Sequence, residues 1–404
     1  MRRALLMLIP LLAVFTVSAR EPTTPTPAIS PEARDRGFYH LATDAEARWV
    51  PFDLTPGNQI RFTMQLDGRK VTAILDTGVS YTLLAKASPA LDTAKLVAGG
   101  SASAIGGSVA LGWMPTRSLA LGGLARTGGG VTVASLPAIA TGSAAAVDLL
   151  VGADLLAGYA LDIDYAAHRF RLLLSGRMPF KGETAPLKIS TQRTVYESAI
   201  TLGGRRLAPI VVDTGDGSSI TVTAAGWHAA NLKALPTTTA IAFGLAGPTV
   251  SGLAIVPYLR VGALVAREAE VRIEPAGGFS QAIGTAGRIG SGFLQNYRVL
   301  LDPGARRMIL RRGPRADRPP LRSTSGLLVG IENDRLKVLH VMRGGPAAAS
   351  WKDGDMICTI DGAAVPRDYA TNPIATWSAG APGRVVSLGL CDGSTRALTL
   401  RNFY

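Results

Sequence analysis

The feature that most constrains this chain is an internal repeat. The tripeptide Asp-Thr-Gly occurs at Asp76-Thr77-Gly78 and again at Asp213-Thr214-Gly215, an offset of 137 residues. A short apolar hairpin precedes each copy. In the first, the alternating run 59–66 is followed by an Asp67-Gly68 turn and then by 71–75. In the second, 196–202 is followed by a Gly203-Gly204 turn and then by 208–212. Alternating apolar runs around such dipeptides specify strand, tight turn, strand. Two further landmarks keep the spacing: Gly152 and Gly290, each closing an apolar run, and Asp164 and Asp302 are 138 residues apart. Three landmarks held to within one residue over that span predict two homologous β lobes.

The chain of 404 residues exceeds one ordinary core. With 46 Gly, 47% hydrophobic and 18% charged residues, a β-rich globular protein is expected. The net charge of +13 could attract nucleic acid, but the basic residues are scattered. Their one cluster, from Arg306 to Arg322, overlaps a Pro-rich stretch best read as a linker. Without zinc-finger spacing, an RNP-like segment or a basic helix, no nucleic-acid partner is expected. His40, His168, His228 and His340 are far apart and show no paired ligand spacing, so no metal and no cofactor are expected. No Gly-x-Ser-x-Gly elbow is present.

Arg2 and Arg3, the apolar stretch from Ala4 to Val17, and Val17-Ser18-Ala19 have the order of an export signal. The apolar run is shorter than the roughly 20 residues of a membrane span. The protein is therefore expected outside the cytoplasm, in a periplasm of a Gram-negative bacterium or secreted, and not integral to a membrane once the signal is removed. Cys358 and Cys391 can pair or sit separately as small core residues, and the second arrangement is expected.

Paired Asp-Thr-Gly loops matter chemically because metal-free amide hydrolysis needs an acid and a base together. Two facing carboxylates cannot both ionise easily, so they share one proton. The ionised member can activate a water while its neutral mate protonates the carbonyl oxygen. Asp76 and Asp213 are the candidate catalytic pair. Thr77 and Thr214 can hydrogen-bond across the lobe interface, and Gly78 and Gly215 allow the sharp turn beside the opposite loop.

The run Asp76-Thr77-Gly78-Val79-Ser80-Tyr81-Thr82-Leu83-Leu84 resembles the active-site loop of retropepsin-like aspartic proteases. The elements ending at Gly152 and Gly290 are similar to that family's second element, which packs beneath the loop. Ala104-Ile105-Gly106-Gly107-Ser108-Val109 resembles its glycine-rich flap, and Ala242 to Gly247 is the weaker counterpart in the second lobe. The resemblance covers roughly residues 49–312. It implies a bilobed β fold, a dyad of Asp76 and Asp213, a cleft for an extended polypeptide substrate, and a complete site without oligomerisation.

There are departures. Val79 and Asp216 stand where pepsin-like loops carry Ser or Thr. Asp216 can be a third carboxylate near the dyad or an exposed turn residue. No flap tyrosine of the pepsin kind is evident, and Trp113 is the nearest substitute.

A distinct module follows the linker. Its order, from Ser325-Gly326-Leu327-Leu328-Val329-Gly330 through Gly345-Pro346 to Lys352-Asp353-Gly354-Asp355, resembles the PDZ domains attached to bacterial periplasmic proteases. That resemblance implies a peptide C-terminus held by a carboxylate loop at Gly326, Leu327, Leu328 and Val329. A groove helix is implied near Tyr369 to Trp377. Such a module can also act as a packing or docking element.

The expected organisation is a signal (1–19), a flexible tether (20–36), a first protease lobe (37–178), a second (179–312), a basic linker (313–324) and a PDZ-like α/β domain (325–404). The expected function is an exported aspartic endopeptidase. The competing expectation is a non-catalytic peptide-binding adaptor built on a protease scaffold plus a PDZ domain.

Overall fold

The computed structural model describes residues 37–141 and 147–404, so the expected signal and tether lie outside the described residues. The fold is mainly β, with only short helices between strands. Strands Ile60–Leu66 and Arg69–Leu75 form the first hairpin. Its turn residues Asp67 and Gly68 both have positive φ, at 51° and 79°. Gly203 and Gly204 do the same, at 54° and 76°, between Tyr196–Leu202 and Arg205–Asp213. This is the turn geometry that matches the twist of paired strands. In Ile60–Leu66, Ile60, Phe62, Met64 and Leu66 are buried at alternate positions, while the residues between them are not.

Seven strands then follow in the same spatial order in each half. In the first half the order is Ile60–Leu66, Arg69–Leu75, Leu149–Val151, Leu83–Ala85, Gly130–Ala134, Gly107–Pro115, Val97–Ala104. In the second it is Tyr196–Leu202, Arg205–Asp213, Gly287–Gly290, Ile220–Thr223, Leu264–Glu274, Gly247–Val261, Thr238–Gly244. Each Asp-bearing strand lies parallel to the strand ending at or before the landmark glycine: Leu75 faces Val151, and Asp213 faces Gly290. The buried, β-branched character of these central strands is what parallel pairing requires.

A six-stranded sheet joins the halves. Its order is Glu183–Pro186, Arg307–Arg312, Tyr297–Asp302, Ala160–Asp164, Arg169–Leu173, Val50–Pro51. Ala160–Asp164 pairs antiparallel with Tyr297–Asp302, placing Leu161 opposite Leu301. One apolar core runs through residues of both halves, from Phe62 and Leu75 to Val212 and Leu301. Asp164 and Asp302 lie at hairpin turns, where the Asp302 Oδ1 accepts from the Ala305 amide at 3.1 Å.

The C-terminal module has a separate core containing Leu336, Ile357, Trp377 and Leu388. Its sheet runs Leu327–Glu332, Arg335–Val341, Met356–Ile360, Val385–Leu390, Thr395–Thr399. The expectation of separate cysteines is corrected here. Cys358 and Cys391 form a disulfide, with Cα atoms 5.1 Å apart. Pairing of Ile357 with Leu390 brings the two residues opposite each other, which a sequence separation of 33 does not reveal. Near Tyr369 to Trp377, the segment Pro373–Ala379 is a 3-10 helix with Trp377 turned into the core. The Trp377 indole N–H donates to the Tyr369 hydroxyl at 2.8 Å.

The module is packed against the second half. His340 Nε2 and the Thr239 hydroxyl are 2.7 Å apart, and the Thr238 hydroxyl donates to the Arg343 carbonyl at 2.8 Å. Met342, Leu328 and Tyr404 cluster there with Ala240 and Leu253. Among the described residues, no helix is long and apolar enough to cross a membrane.

Candidate active site

The two Asp-Thr-Gly loops meet at the interface of the halves. Thr77 N–H donates to the Thr214 hydroxyl at 3.0 Å, and Thr214 N–H donates to the Thr77 hydroxyl at 3.1 Å. Each hydroxyl then donates across the interface, Thr77 to the Val212 carbonyl at 2.6 Å and Thr214 to the Leu75 carbonyl at 2.7 Å. Both threonines are fully buried. Serine could supply the same hydroxyl, but threonine adds a methyl that stiffens χ1 and fixes its direction.

This lattice brings Asp76 and Asp213 together, with the carboxyl of each set against the glycine of the opposite loop. Gly78 N–H donates to Asp76 Oδ1 and Gly215 N–H to Asp213 Oδ1, each at 3.0 Å. A Cβ on Gly78 would overlap the Asp213 carboxyl, and one on Gly215 would overlap that of Asp76. Here glycine is required by close approach, since neither residue has positive φ.

Burial pushes the Asp76 carboxyl up to about 6, against the opposing effect of the amide and carboxyl bonds it accepts. Asp213 is driven well above the ordinary carboxylate range, first by burial and then by the charges of Asp76 and Asp216. The two carboxyls therefore titrate as a pair, in two steps, with one proton shared between them over the range between the steps.

Asp216 is not an exposed turn residue. Its Oδ2 lies 2.8 Å from Arg288 Nε, and Arg288 Nη1 lies 2.7 Å from Glu274 Oε1. Burial alone would raise Asp216, but the Arg288 charge and hydrogen bond, with the Ser218 bonds, outweigh it and lower it. Burial likewise opposes the Arg288 charge, yet Asp216, Glu274 and Asp213 hold that guanidinium firmly protonated.

A cleft of about 400 Å³ contains the dyad. Two hairpin tips line it as well. The first turns at Ile105 and Gly106, the latter with φ of 96°, and Gly107 opens the returning strand. The second joins Thr238–Gly244 to Gly247–Val261. The tips touch: Ala246 N–H donates to the Ile105 carbonyl at 3.1 Å. A Cβ on Gly106 would lie 2.6 Å from the Gly247 carbonyl oxygen. Trp113 does not line the cleft; it packs against Gly130 on the neighbouring strand.

Sequence reasoning missed three contributors. The Gln59 amide donates to the Gly215 carbonyl at 2.8 Å, tying the first half to the second loop. Arg288 and Arg272 both line the cleft. The signal available for Arg288 was its place two residues before Gly290, where the first half has Leu150 before Gly152.

In the C-terminal module, Gly326 N–H donates to the Ser323 hydroxyl and Leu327 N–H to the Ser325 hydroxyl, both at 3.1 Å. Two amides of the expected carboxylate loop are thus engaged internally. Leu328 faces the second half, and Val329 packs against the module core.

No protein-family model matches this chain, and no curated protein matches it.

Proposed function

We infer that the protein is an aspartic endopeptidase with two retropepsin-like lobes, followed by a PDZ-like module. The observation that carries this reading is the carboxyl pair of Asp76 and Asp213, held by reciprocal threonine bonds inside a cleft lined by two hairpin tips. In this reading a water sits between the carboxyls. Ionised Asp76 takes its proton as the oxygen attacks the peptide carbonyl carbon, and neutral Asp213 protonates the carbonyl oxygen. The tetrahedral diol then collapses. The C–N bond breaks as the proton held by Asp76 passes to the leaving amine, and a diol hydroxyl returns a proton to Asp213. Both carboxyls regain their starting states.

The substrate class is an extended polypeptide. The Cys358–Cys391 disulfide supports an oxidising compartment, in keeping with the export signal expected from the first residues. The C-terminal module reads as PDZ-like in a docking role, since its Leu328 and Met342 are packed on the second lobe.

The test is hydrolysis of a mixed peptide library by the mature protein across pH, beside Asp76→Asn and Asp213→Asn variants. Loss of about a hundredfold or more in either variant, with circular dichroism unchanged, is the expected outcome. Near-normal cleavage by Asp213→Asn would overturn the dyad. Peptide binding without cleavage would support the adaptor instead.

A further inference from the structure

Both halves line the cleft with a mixture of apolar and polar side chains. On the first-half side, Val79, Leu136, Ile139 and Leu150 line it. On the other side Thr249, Ser251 and Arg272 stand among Ile241, Phe243 and Phe279. Ser251 and Arg272 lie on adjacent antiparallel strands: Leu253 is opposite Arg272, and Ser251 shares a face with Leu253 two residues away.

Each of these two polar groups has a buried atom, Ser251 Oγ and Arg272 Nε, without a hydrogen-bond partner. Ser251 is 9% exposed, yet its hydroxyl makes no hydrogen bond. Arg272 gives one bond, from Nη1 to the Ile241 carbonyl at 3.3 Å, and its buried Nε has no acceptor. The nearest carboxylate, on Glu270, is 3.9 Å from that nitrogen, beyond hydrogen-bond reach. Arg288 is the contrast. It lies in the same cleft but is engaged by Asp216, Glu274 and Ser280. Arg288 is structural, whereas Arg272 has donors to spare. Burying a donor without an acceptor is costly, and an incoming acceptor recovers that cost. A planar guanidinium is also suited to gripping a carboxylate or an amide oxygen.

We propose that Ser251 and Arg272 form a side-chain subsite for a substrate residue ending in a carboxylate or amide carbonyl, glutamate or glutamine in chemistry. The apolar group of Val79, Leu136, Ile139 and Leu150 takes an aliphatic residue on the other side of the scissile bond. The proposal rests on the peptidase reading for its placement of the scissile bond over Asp76 and Asp213. It adds that cleavage is selective for an aliphatic residue on one side and an acceptor-bearing residue on the other.

The test uses full-length protein and reduced-amide peptides that cannot be hydrolysed. Leucine occupies one side of the modified bond, and glutamate, glutamine, leucine or lysine the other, in both orders. Fluorescence anisotropy should show glutamate and glutamine peptides bound about five- to tenfold tighter than leucine in one order, with lysine weakest. Arg272→Met should erase this ranking while leaving the leucine peptide unchanged. Ser251→Ala should reduce it by about two- to fivefold, and serves if Arg272→Met does not fold. A larger loss for glutamate than for glutamine in Arg272→Lys would identify the carboxylate as the preferred ligand; equal losses would identify the amide carbonyl.

Equal binding of leucine and glutamate in both orders, or an unchanged ranking in Arg272→Met, would overturn the subsite. Matched cleavable peptides separate this from the parent reading. A binding preference without hydrolysis sinks the peptidase and keeps the subsite. Hydrolysis without preference does the reverse, and neither binding nor hydrolysis sinks both.

Discussion

Asp216 and Arg288 form a buried ion pair, Oδ2 to Nε 2.8 Å, at the positions where the first half has Val79 and Leu150. The offsets are 137 and 138 residues, those of the repeat itself. In the first half, Val79 packs on the apolar cluster containing Leu150. One half thus supports its Asp-Thr-Gly loop by apolar contact and the other by charge, so a pseudo-symmetric scaffold holds an electrostatically asymmetric pair of aspartates.

Removing one side of that pair should be costly. Arg288→Met leaves Asp216 and Glu274 buried without their counterion, and about 3–5 kcal/mol of stability should be lost. The double variant Asp216→Asn with Arg288→Met should regain part of it. Urea denaturation of the three proteins gives the answer, and no regain would mean the two side chains are not energetically coupled.

Activity should follow a bell-shaped pH profile whose acid limb lies near the Asp76 value of about 6. That limb marks loss of the pair's first proton, and the alkaline limb marks loss of its second. The Asp216 charge raises both carboxyls. Asp216→Asn removes that influence and leaves Arg288 less neutralised, so both limbs should move to lower pH. Initial rates across the pH range decide it; limbs that stay in place would mean Asp216 exerts no field at the dyad.

Thr77→Val should destabilise more than Thr77→Ser. Valine keeps the shape but strands the Thr214 N–H and the Val212 carbonyl, an expected loss of about 1–3 kcal/mol. Serine keeps the hydroxyl and should lose less. Calorimetric melting of both variants tests the ordering.

Reducing the Cys358–Cys391 bond releases a constraint on a loop of 33 residues. Chain entropy puts the effect at about 3–4 kcal/mol, confined to the C-terminal module. Hydrogen exchange with and without reductant should show faster exchange in residues 325–404, while the strands around Asp76 and Asp213 stay protected.

The mainly β class was legible because turn dipeptides and alternating apolar runs are local signals. Asp67-Gly68 and Gly203-Gly204 needed no tertiary information to be read as turns. The pairing of Thr77 with Thr214 followed from the repeat, since equivalent loops of two halves face each other. Asp216 was ambiguous for the opposite reason: its partner lies 72 residues away, and only the folded strand Gly287–Gly290 brings Arg288 beside it. The disulfide and the seating of Met342 on Ala240 are likewise products of packing.

The contact between Ile105 and Ala246 bridges the two halves at the cleft, so in the peptidase reading entry becomes a matter of topology. A short peptide with free ends can thread beneath a closed bridge. A loop in the middle of a long chain cannot; for it, the tips must part. The hairpin of Thr238–Gly244 with Gly247–Val261 also carries Thr238 and Thr239, which are bonded to Arg343 and His340. In that reading, parting the tips moves a hairpin that is also bonded to the C-terminal module.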